Sequence, residues 1–402
     1  MIYNIKDHPL FDPTNVALAI NDTATKMAMG DHAYLEYDKY QIKEPINIQN
    51  PNRLKYCQIT LHGQYEVVVP DLKASVWVEG DYFTFQMDRL LSNDKSDYYN
   101  QSEDDILPGG ISIGESCYSV YQFGEIEGFE FGIRLRPLET YTGLCFNKIN
   151  FKKLSYCYTP LIFSVPNGVT GWINENQIFG GTVKGYFGVV YQKGSEQIDE
   201  YNNNTFYNIA FEAIESDAIV ADFCAFNTFI SPRFECVNRL TIKESNTCKN
   251  NKYYISVDIP FCSVSIQSRN TTILGPLHDK QWENIVRALY TDCDGNKKYE
   301  FFKRTSARIE NKSTSLLPNI SELEICADEQ PVTLTLSDLS AFDDNRIRII
   351  VRKQKQPITL TDADGSVLFS DNAFTAGVYD LYYADRKWKL LKLSGTLPEV
   401  GQ

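Results

Sequence analysis

Of 402 residues, 43% are hydrophobic and 23% charged, so the chain can bury a large core and exceeds one ordinary compact domain. Its 39 basic and 52 acidic residues leave a formal charge of −13, which argues against nucleic acid or an anionic membrane as partner. Four scattered histidines (His8, His32, His62 and His278) give little material for a His-based zinc site or a Ser-His triad, and no metal or cofactor is expected.

Asp12-Pro13-Thr14 predicts a helix start, with Asp12 as N-cap and Pro13 at the first helical position. Val16, Ala17, Ala19, Ile20, Ala24 and Met27 fall on one apolar stripe that Gly30 ends, the pattern of a helix that plugs the open end of a coil. Tyr34–Tyr37, Tyr40–Ile42 and Glu44–Ile48 read as a first turn, so residues 1–50 hold a capping helix and the first coil. Strands are expected at Gln58–Leu61, Ser75–Val78 and Tyr82–Phe85, and the polar stretch Asn93–Asp105 as a loop.

A repeat follows. Asn147, Asn176, Asn204 and Asn227, spaced 29, 28 and 23 residues apart, each precede by two positions an Ile or Phe (Ile149, Ile178, Phe206, Phe229). Five residues beyond each of these stands another apolar residue: Leu154, Val183, Phe211, Phe234. Twenty-three residues before Asn147, Gly124, Ile126, Phe129 and Phe131 keep the apolar spacing without the Asn, which predicts a fifth turn there. Self-similarity at this period, with short β-rich segments and no amphipathic helix between them, predicts an all-β chain: a right-handed, single-stranded parallel β-helix over residues 51–275. At each bend the Asn amide is expected to bond the backbone, accept a left-handed conformation and stack on the next turn's Asn. A β-sandwich with chance spacing is the alternative.

Beyond Val237 the register weakens. Trp282, Ile285, Val286 and Leu289 recur at helical spacing within Asp279–Tyr290, and Ser313–Pro318 is Ser/Thr/Pro-rich, so residues 276–330 read as a helix-containing neck or linker. Alternation returns in Arg346–Val351, Ile358–Leu360, Val367–Phe369, Val378–Tyr383 and Trp388–Leu390, with a hairpin turn at Asp364-Gly365. Residues 331–402 are therefore expected to form a small antiparallel, sandwich-like β domain.

Particular segments carry a family resemblance. Tyr40-Gln41-Ile42 and Pro45-Ile46-Asn47-Ile48 resemble the opening of the pectate-lyase-like β-helices of bacteriophage tailspike depolymerases, although Tyr37-Asp38-Lys39 stands where that group often has Pro-x-Gly. Gly171-Trp172-Ile173-Asn174-Glu175-Asn176 leading to Gly180-Gly181 is similar to a rung recurrent in the same group, and Gly377-Val378-Tyr379 with Trp388 to its C-terminal domains. The resemblance implies a homotrimeric receptor-binding spike in the phage virion tail. It would assemble in the host cytoplasm, bind and hydrolyse bacterial surface polysaccharide (capsule or O-antigen), and dock to other phage tail proteins. Its C-terminal domain would help to trimerise or bind sugar. A non-catalytic tail fibre or a polysaccharide lyase is the alternative. The chain starts close to the capping helix, so a virion-anchoring domain is expected to be missing.

Candidate catalytic residues follow from the register. Side chains alternate along a strand, so the residue after each buried position faces outward. This row reads Gly132, Ser155, Lys184, Glu212, Glu235, which would place Glu212 beside Glu235 at about one strand spacing, roughly 4.8 Å. Two such carboxyls would hold one proton between them, the state that glycoside hydrolysis uses. A solvated charge ladder is the competing reading, and Asp217 and Asp222 are rival acids. Trp172, Lys184, Tyr186, Tyr191 and Arg233 are candidate substrate-binding residues. The ten cysteines include no CxxC pair and are read as reduced thiols of a chain made in a reducing cytoplasm. No signal-peptide core follows Met1 and no apolar run approaches 18 residues, so no membrane insertion is expected.

Overall fold

Strands one turn apart pair in parallel, in the register that the repeat predicts. Ile149, Ile178, Phe206, Phe229 and Tyr253 lie opposite one another in succession, and so do Leu154, Val183, Phe211 and Phe234. The computed structural model describes residues 1–49, 54–92, 107–192, 200–255, 264–279, 284–301, 305–316, 320–337, 345–370, 373–384 and 387–394. The loop expected at Asn93–Asp105 lies outside them. Two units emerge, Met1–Leu277 with Cys293–Gly295, and His278–Asp292 with Asn296–Gln402.

The first unit is an all-β parallel β-helix of about eleven turns. One long sheet stacks a strand from every turn, beginning with Ile2–Asn4 on His32–Leu35. A nine-stranded sheet from Ile46–Gln49 to Val264–Ile266 forms another wall. Between the walls the core is a column of stacked side chains: Phe206 lies on Phe229 at 4.2 Å and 3°, and Phe229 on Tyr253 at 5.0 Å. Each such aromatic pair adds about 0.5–1.5 kcal/mol beyond the area it buries.

The Asn residues stand at one bend, fully buried, and form a continuous amide ladder. Each Oδ1 accepts the backbone N–H of the preceding Asn (Asn147 to Asn176 and Asn176 to Asn204, 3.1 Å; Asn204 to Asn227, 2.9 Å) and the preceding side-chain Nδ2 as well (3.0–3.1 Å). Each Nδ2 gives its other proton to a main-chain oxygen, such as Ile173 O for Asn204 at 2.8 Å. No donor or acceptor of the amide is left over, and the backbone N–H fixes which way it points. Asn251 is a fifth member, joined through Asn227 N at 2.9 Å, and the row ends where its amide and the Tyr253 hydroxyl donate to buried Glu244. On the turn before Asn147, Ser119 takes the place, its N–H donating to Asn147 Oδ1.

Several expectations change. The turn before Asn147 is 28 residues away, Tyr121 facing Ile149 and Ile126 facing Leu154, so the turn expected at Gly124 is out of register by five residues. The outward row therefore continues with Glu127, opposite Ser155, and Gly132 lies in another strand, Phe131–Leu135, under Pro160 O. The left-handed residue is the one before each Asn (Phe146, Glu175, Asn203, Phe226, φ 54–58°), since the Asn itself must turn inward to meet its neighbours.

The helix runs Ala17–Lys26 with its stripe buried, but Val16 stands at its N-cap without a side-chain bond. The start is delayed because Val16 N and Pro13 O are bonded to Gln41 as a strand edge, leaving Asp12 to bond Thr14 N. Asn21 of the helix donates to Pro45 O and accepts from Asn47 N, which satisfies the open edge of Ile46–Gln49.

In the second unit the helix expected within Asp279–Tyr290 is instead the strand Asn284–Thr291, antiparallel to Lys297–Phe301. Its Ile, Val, Tyr and Thr favour a strand, and Asp292 and Asn296 close the turn between the pair. The expected antiparallel domain is mixed. Thr305–Glu310, Ile320–Ala327 and Arg346–Gln354 pair in parallel, and only Gly377–Ala384 and Lys387–Ser394 continue antiparallel. Thr314–Ser315, Val332–Thr335 and Ile358–Thr361 form a second parallel row, to which Val367–Phe369 adds the one predicted hairpin. Part of the neck expected at 276–330, Thr305–Glu310, Thr314–Ser315 and Ile320–Ala327, thus supplies strands of this unit's own sheets.

Replacing Asn204 by Ala leaves Asn176 N–H, Asn176 Nδ2 and Ile173 O without their partner inside the core. At about 1–3 kcal/mol for each of these three groups, Asn204→Ala is expected to lower stability by about 3 kcal/mol or more, read as a fall in the guanidinium midpoint.

Candidate functional site: an outer groove and a charge ladder

The expected acid pair forms, but as a neutralised ladder. Glu212 stands opposite Glu235 in paired strands, and Arg233 lies between them, 3.0 Å from Glu212 and 2.9 Å from Glu235. Lys184 closes on Glu212 from the other side at 3.1 Å. Partial burial raises the Glu212 pKa, and the bonds and charges of Lys184 and Arg233 outweigh it, leaving the carboxyl below its ordinary value. A shared proton needs two carboxyls facing each other without a cation, which this arrangement denies.

The rival acids lie elsewhere. Asp217 is buried, accepting Leu240 N–H at 3.1 Å, and Asp222 accepts the hydroxyls of Ser245 and Thr247; the two flank the strand Ile219–Ala221. Tyr191 is 1% exposed and stacked on Phe163 at 4.6 Å, so it belongs to the core and touches no external ligand. Tyr186 stacks on Tyr158 at 5.0 Å and 5°. The Trp172 indole lies over Gly143, where a Cβ would meet it at 2.4 Å, so it packs against the preceding turn.

A different place on the outer wall is concave. A groove of ≈ 910 Å³ crosses five consecutive turns of the long sheet. It exists because the long strands bend in mid-course: at Gly124 an added Cβ would meet Asp88 O at 1.9 Å, and at Gly63 it would meet Asp38 O at 2.3 Å. Glycine at these corners lets one turn's backbone approach the next, and the wall folds inward.

Three kinds of side chain line the groove. Gln86, Gln122 and Asn150 face one another in register and form a row of amides. Two carboxylates sit on adjacent turns. Asp88 accepts Gly63 N–H at 3.1 Å and Gln86 Nε2 at 3.3 Å and lies 3.2 Å from His62 Nδ1, while Glu125 pairs with Arg89 Nε at 3.0 Å. Arg89 also reaches Gln64 at 3.2 Å. Lys148 and Lys152 add exposed cations at one end, and Tyr37, 79% exposed, stands at the other. Acids, cations and amides at this density provide both donors and acceptors for the hydroxyl groups of a sugar chain.

None of these side chains is marked as functional by the Asn repeat, because of the groove's turns only the one at Asn147 carries that Asn. A second signature would have found them. Phe85-Gln-Met-Asp-Arg-Leu90, Tyr121-Gln-Phe-Gly-Glu-Ile126 and Ile149-Asn-Phe-Lys-Lys-Leu154 share apolar, amide, apolar, any, charged, apolar.

A second outward stack, Tyr56, Tyr82, Tyr118 and Phe146, places four half-exposed rings 4.9–5.2 Å apart at left-handed bends. The inner rings spend their faces on one another and present only edges, so the stack braces the bend and is a poor platform for a sugar face.

The lowered Glu212 pKa has a signed consequence. A depressed carboxyl stabilises the fold above its unfolded value, about 4.3 for Glu, and loses that contribution as pH falls through the folded value. Glu212→Gln is expected to reduce stability at pH 7, and the difference from wild type to vanish in acid below that range, measured by denaturant titration across pH.

No known protein family and no characterised relative matches the sequence. Among solved structures, the chain is similar to DFA-IIIase from Arthrobacter chlorophenolicus A6 (10% identity, 85% of this chain and 97% of that one, TM-score 0.41). It is also similar to PfbA, a surface adhesin of Streptococcus pneumoniae (9% identity, 98% and 100%, TM-score 0.34), and to the PL6 alginate lyase AlyGC (12% identity, 90% and 51%, TM-score 0.27).

Proposed function

We propose that this chain binds bacterial surface polysaccharide in the groove of the long sheet and hydrolyses it there, as the spike of a phage tail acting as a homotrimer. The observation that carries this reading is the groove itself, in which five turns place two acids, three cations and a row of amides on one concave wall. Its length suits a polymer: four steps of about 4.8 Å give roughly 19 Å, room for several sugars in line.

Asp88 and Glu125 are the carboxyl pair of this site. The Gly63 N–H and Gln86 hold Asp88 as an oriented base or nucleophile. Glu125 is the proton carrier, released as sugar hydroxyls compete for its partner Arg89. Gln86, Gln122 and Asn150 fix the chain's register, and Tyr37 offers a free ring at the groove's end. The Glu212–Arg233–Glu235 ladder stays structural in this reading.

One observation favours binding without cleavage: both groove carboxylates are already bonded to basic side chains. Incubation with capsule or O-antigen separates the two. Hydrolysis yields new reducing ends without ultraviolet absorbance from unsaturated ends, and a lyase yields both. Asp88→Asn and Glu125→Gln are each expected to cut the rate by about 10²–10⁴-fold while glycan binding persists. Glu212→Gln with Glu235→Gln should keep activity. Full activity in both groove variants would overturn the assignment, and binding without any product would leave an adhesin.

A further inference from the structure

Cys117 and Cys145 occupy one position of two consecutive turns. Ser116 faces Leu144 and Cys117 faces Cys145 in parallel register, and the two Sγ atoms are 3.0 Å apart on chain positions 28 residues distant. Both thiols are partly exposed. The bends just beyond them hold the pair together: Tyr118 stacks on Phe146 at 4.9 Å and 6°, Tyr118 N–H donates to Cys145 O at 3.2 Å, and Ser119 N–H to Asn147 Oδ1 at 3.0 Å. Strands paired in a sheet lie about 4.8 Å apart, inside the 4.4–6.8 Å range of Cα separations that a disulfide spans.

The two sulfurs differ chemically. The bond with Cys117 pulls the Cys145 thiol down to about 7, against burial and with help from the Trp172 indole; Glu175 and Asp81 push it upward. The Cys117 thiol is raised, first by the same bond and then by burial. Cys145 is therefore the readier thiolate of the two, with a second thiol in contact behind it, the arrangement of an attacking and a resolving cysteine.

We propose that Cys117 and Cys145 are an oxidisable dithiol, which closes into a disulfide between adjacent turns on meeting a low-molecular-weight disulfide. Cys145 thiolate attacks one sulfur of oxidised glutathione, forming a mixed disulfide and releasing one glutathione thiolate, which takes up a proton. Cys117 then loses its proton and attacks Cys145 Sγ, expelling the second glutathione, which is protonated in turn. Two cysteine sulfurs are oxidised, one glutathione disulfide is reduced to two thiols, and no other co-reactant enters. The staple ties together the turns that carry Gln122 and Asn150 of the groove.

The fold supplies a control. Cys224 and Cys248 also lie on neighbouring turns, Sγ atoms 3.5 Å apart, but each is 1% exposed, and burial holds the Cys224 thiol far above its ordinary value. That pair should stay reduced, while exposed Cys236 and Cys293 take up glutathione singly.

Native, reduced full-length protein treated with oxidised glutathione, then blocked and digested for peptide mass mapping, tests the assignment. The expected product is a Cys117–Cys145 linked peptide, with Cys224 and Cys248 alkylated only after unfolding. In Cys117→Ser the mixed glutathione adduct at Cys145 should accumulate instead, and in Cys145→Ser the reaction at Cys117 should slow at least tenfold. Glutathione on Cys236 and Cys293 with no link between Cys117 and Cys145 would overturn the proposal. So would equal reactivity of the two remaining single cysteines.

Discussion

The fold depends on satisfying the main chain at one repeated bend. Where each turn enters the long sheet, the residue before the ladder position takes a left-handed conformation, and the N–H of the next residue points into the core with no strand to receive it. Left-handed backbone at Phe or Glu costs of order 1–3 kcal/mol. An Asn side chain on the neighbouring turn accepts that N–H and passes a bond onward, so each bend is held by the turn beyond it. The ladder is thus a chain of mutual dependence, and it needs an end. Glu244, buried with the Asn251 amide and the Tyr253, Ser268 and Thr271 hydroxyls around it, supplies a terminal acceptor.

Register, once fixed at the bend, propagates outward. Stacking turns brings each outward residue within reach of its counterpart 20 to 36 positions away, so the surface is organised in rows. Rows of mixed sign neutralise themselves, as Lys184, Glu212, Arg233 and Glu235 do, and form a wall that is chemically quiet. Chemistry concentrates where the wall is not flat. Glycine corners at Gly63 and Gly124 fold the same sheet inward, and there the rows become a groove. The inward column and the outward groove therefore arise from one device, a parallel stack whose bends are placed by residue type.

Much of this was legible in the residues. The spacing of Asn147, Asn176, Asn204 and Asn227 gives the turn length, and the apolar residues two and seven positions on give the buried column, because a coil repeats its chemistry with its geometry. The buried stripe Val16–Met27 likewise announces a helix before its start can be placed. Asn251 escaped because its inward residue is Tyr253, and the turn at Ser119 because a hydroxyl does the amide's work. The strand Asn284–Thr291 escaped because Ile285, Val286 and Leu289, at helical spacing, also fit a short strand.

By itself the sequence determined a parallel coil, its period, and the meeting of Glu212 with Glu235, since those follow from local repetition. Only the tertiary structure decided that Arg233 fills the space between those acids, that Tyr191 points inward, and that Asp88 and Glu125 share a concavity. The reason is physical. A repeat fixes which residues are neighbours along the stack, whereas the orientation of a long side chain and the curvature of a wall depend on contacts between turns that have no common spacing.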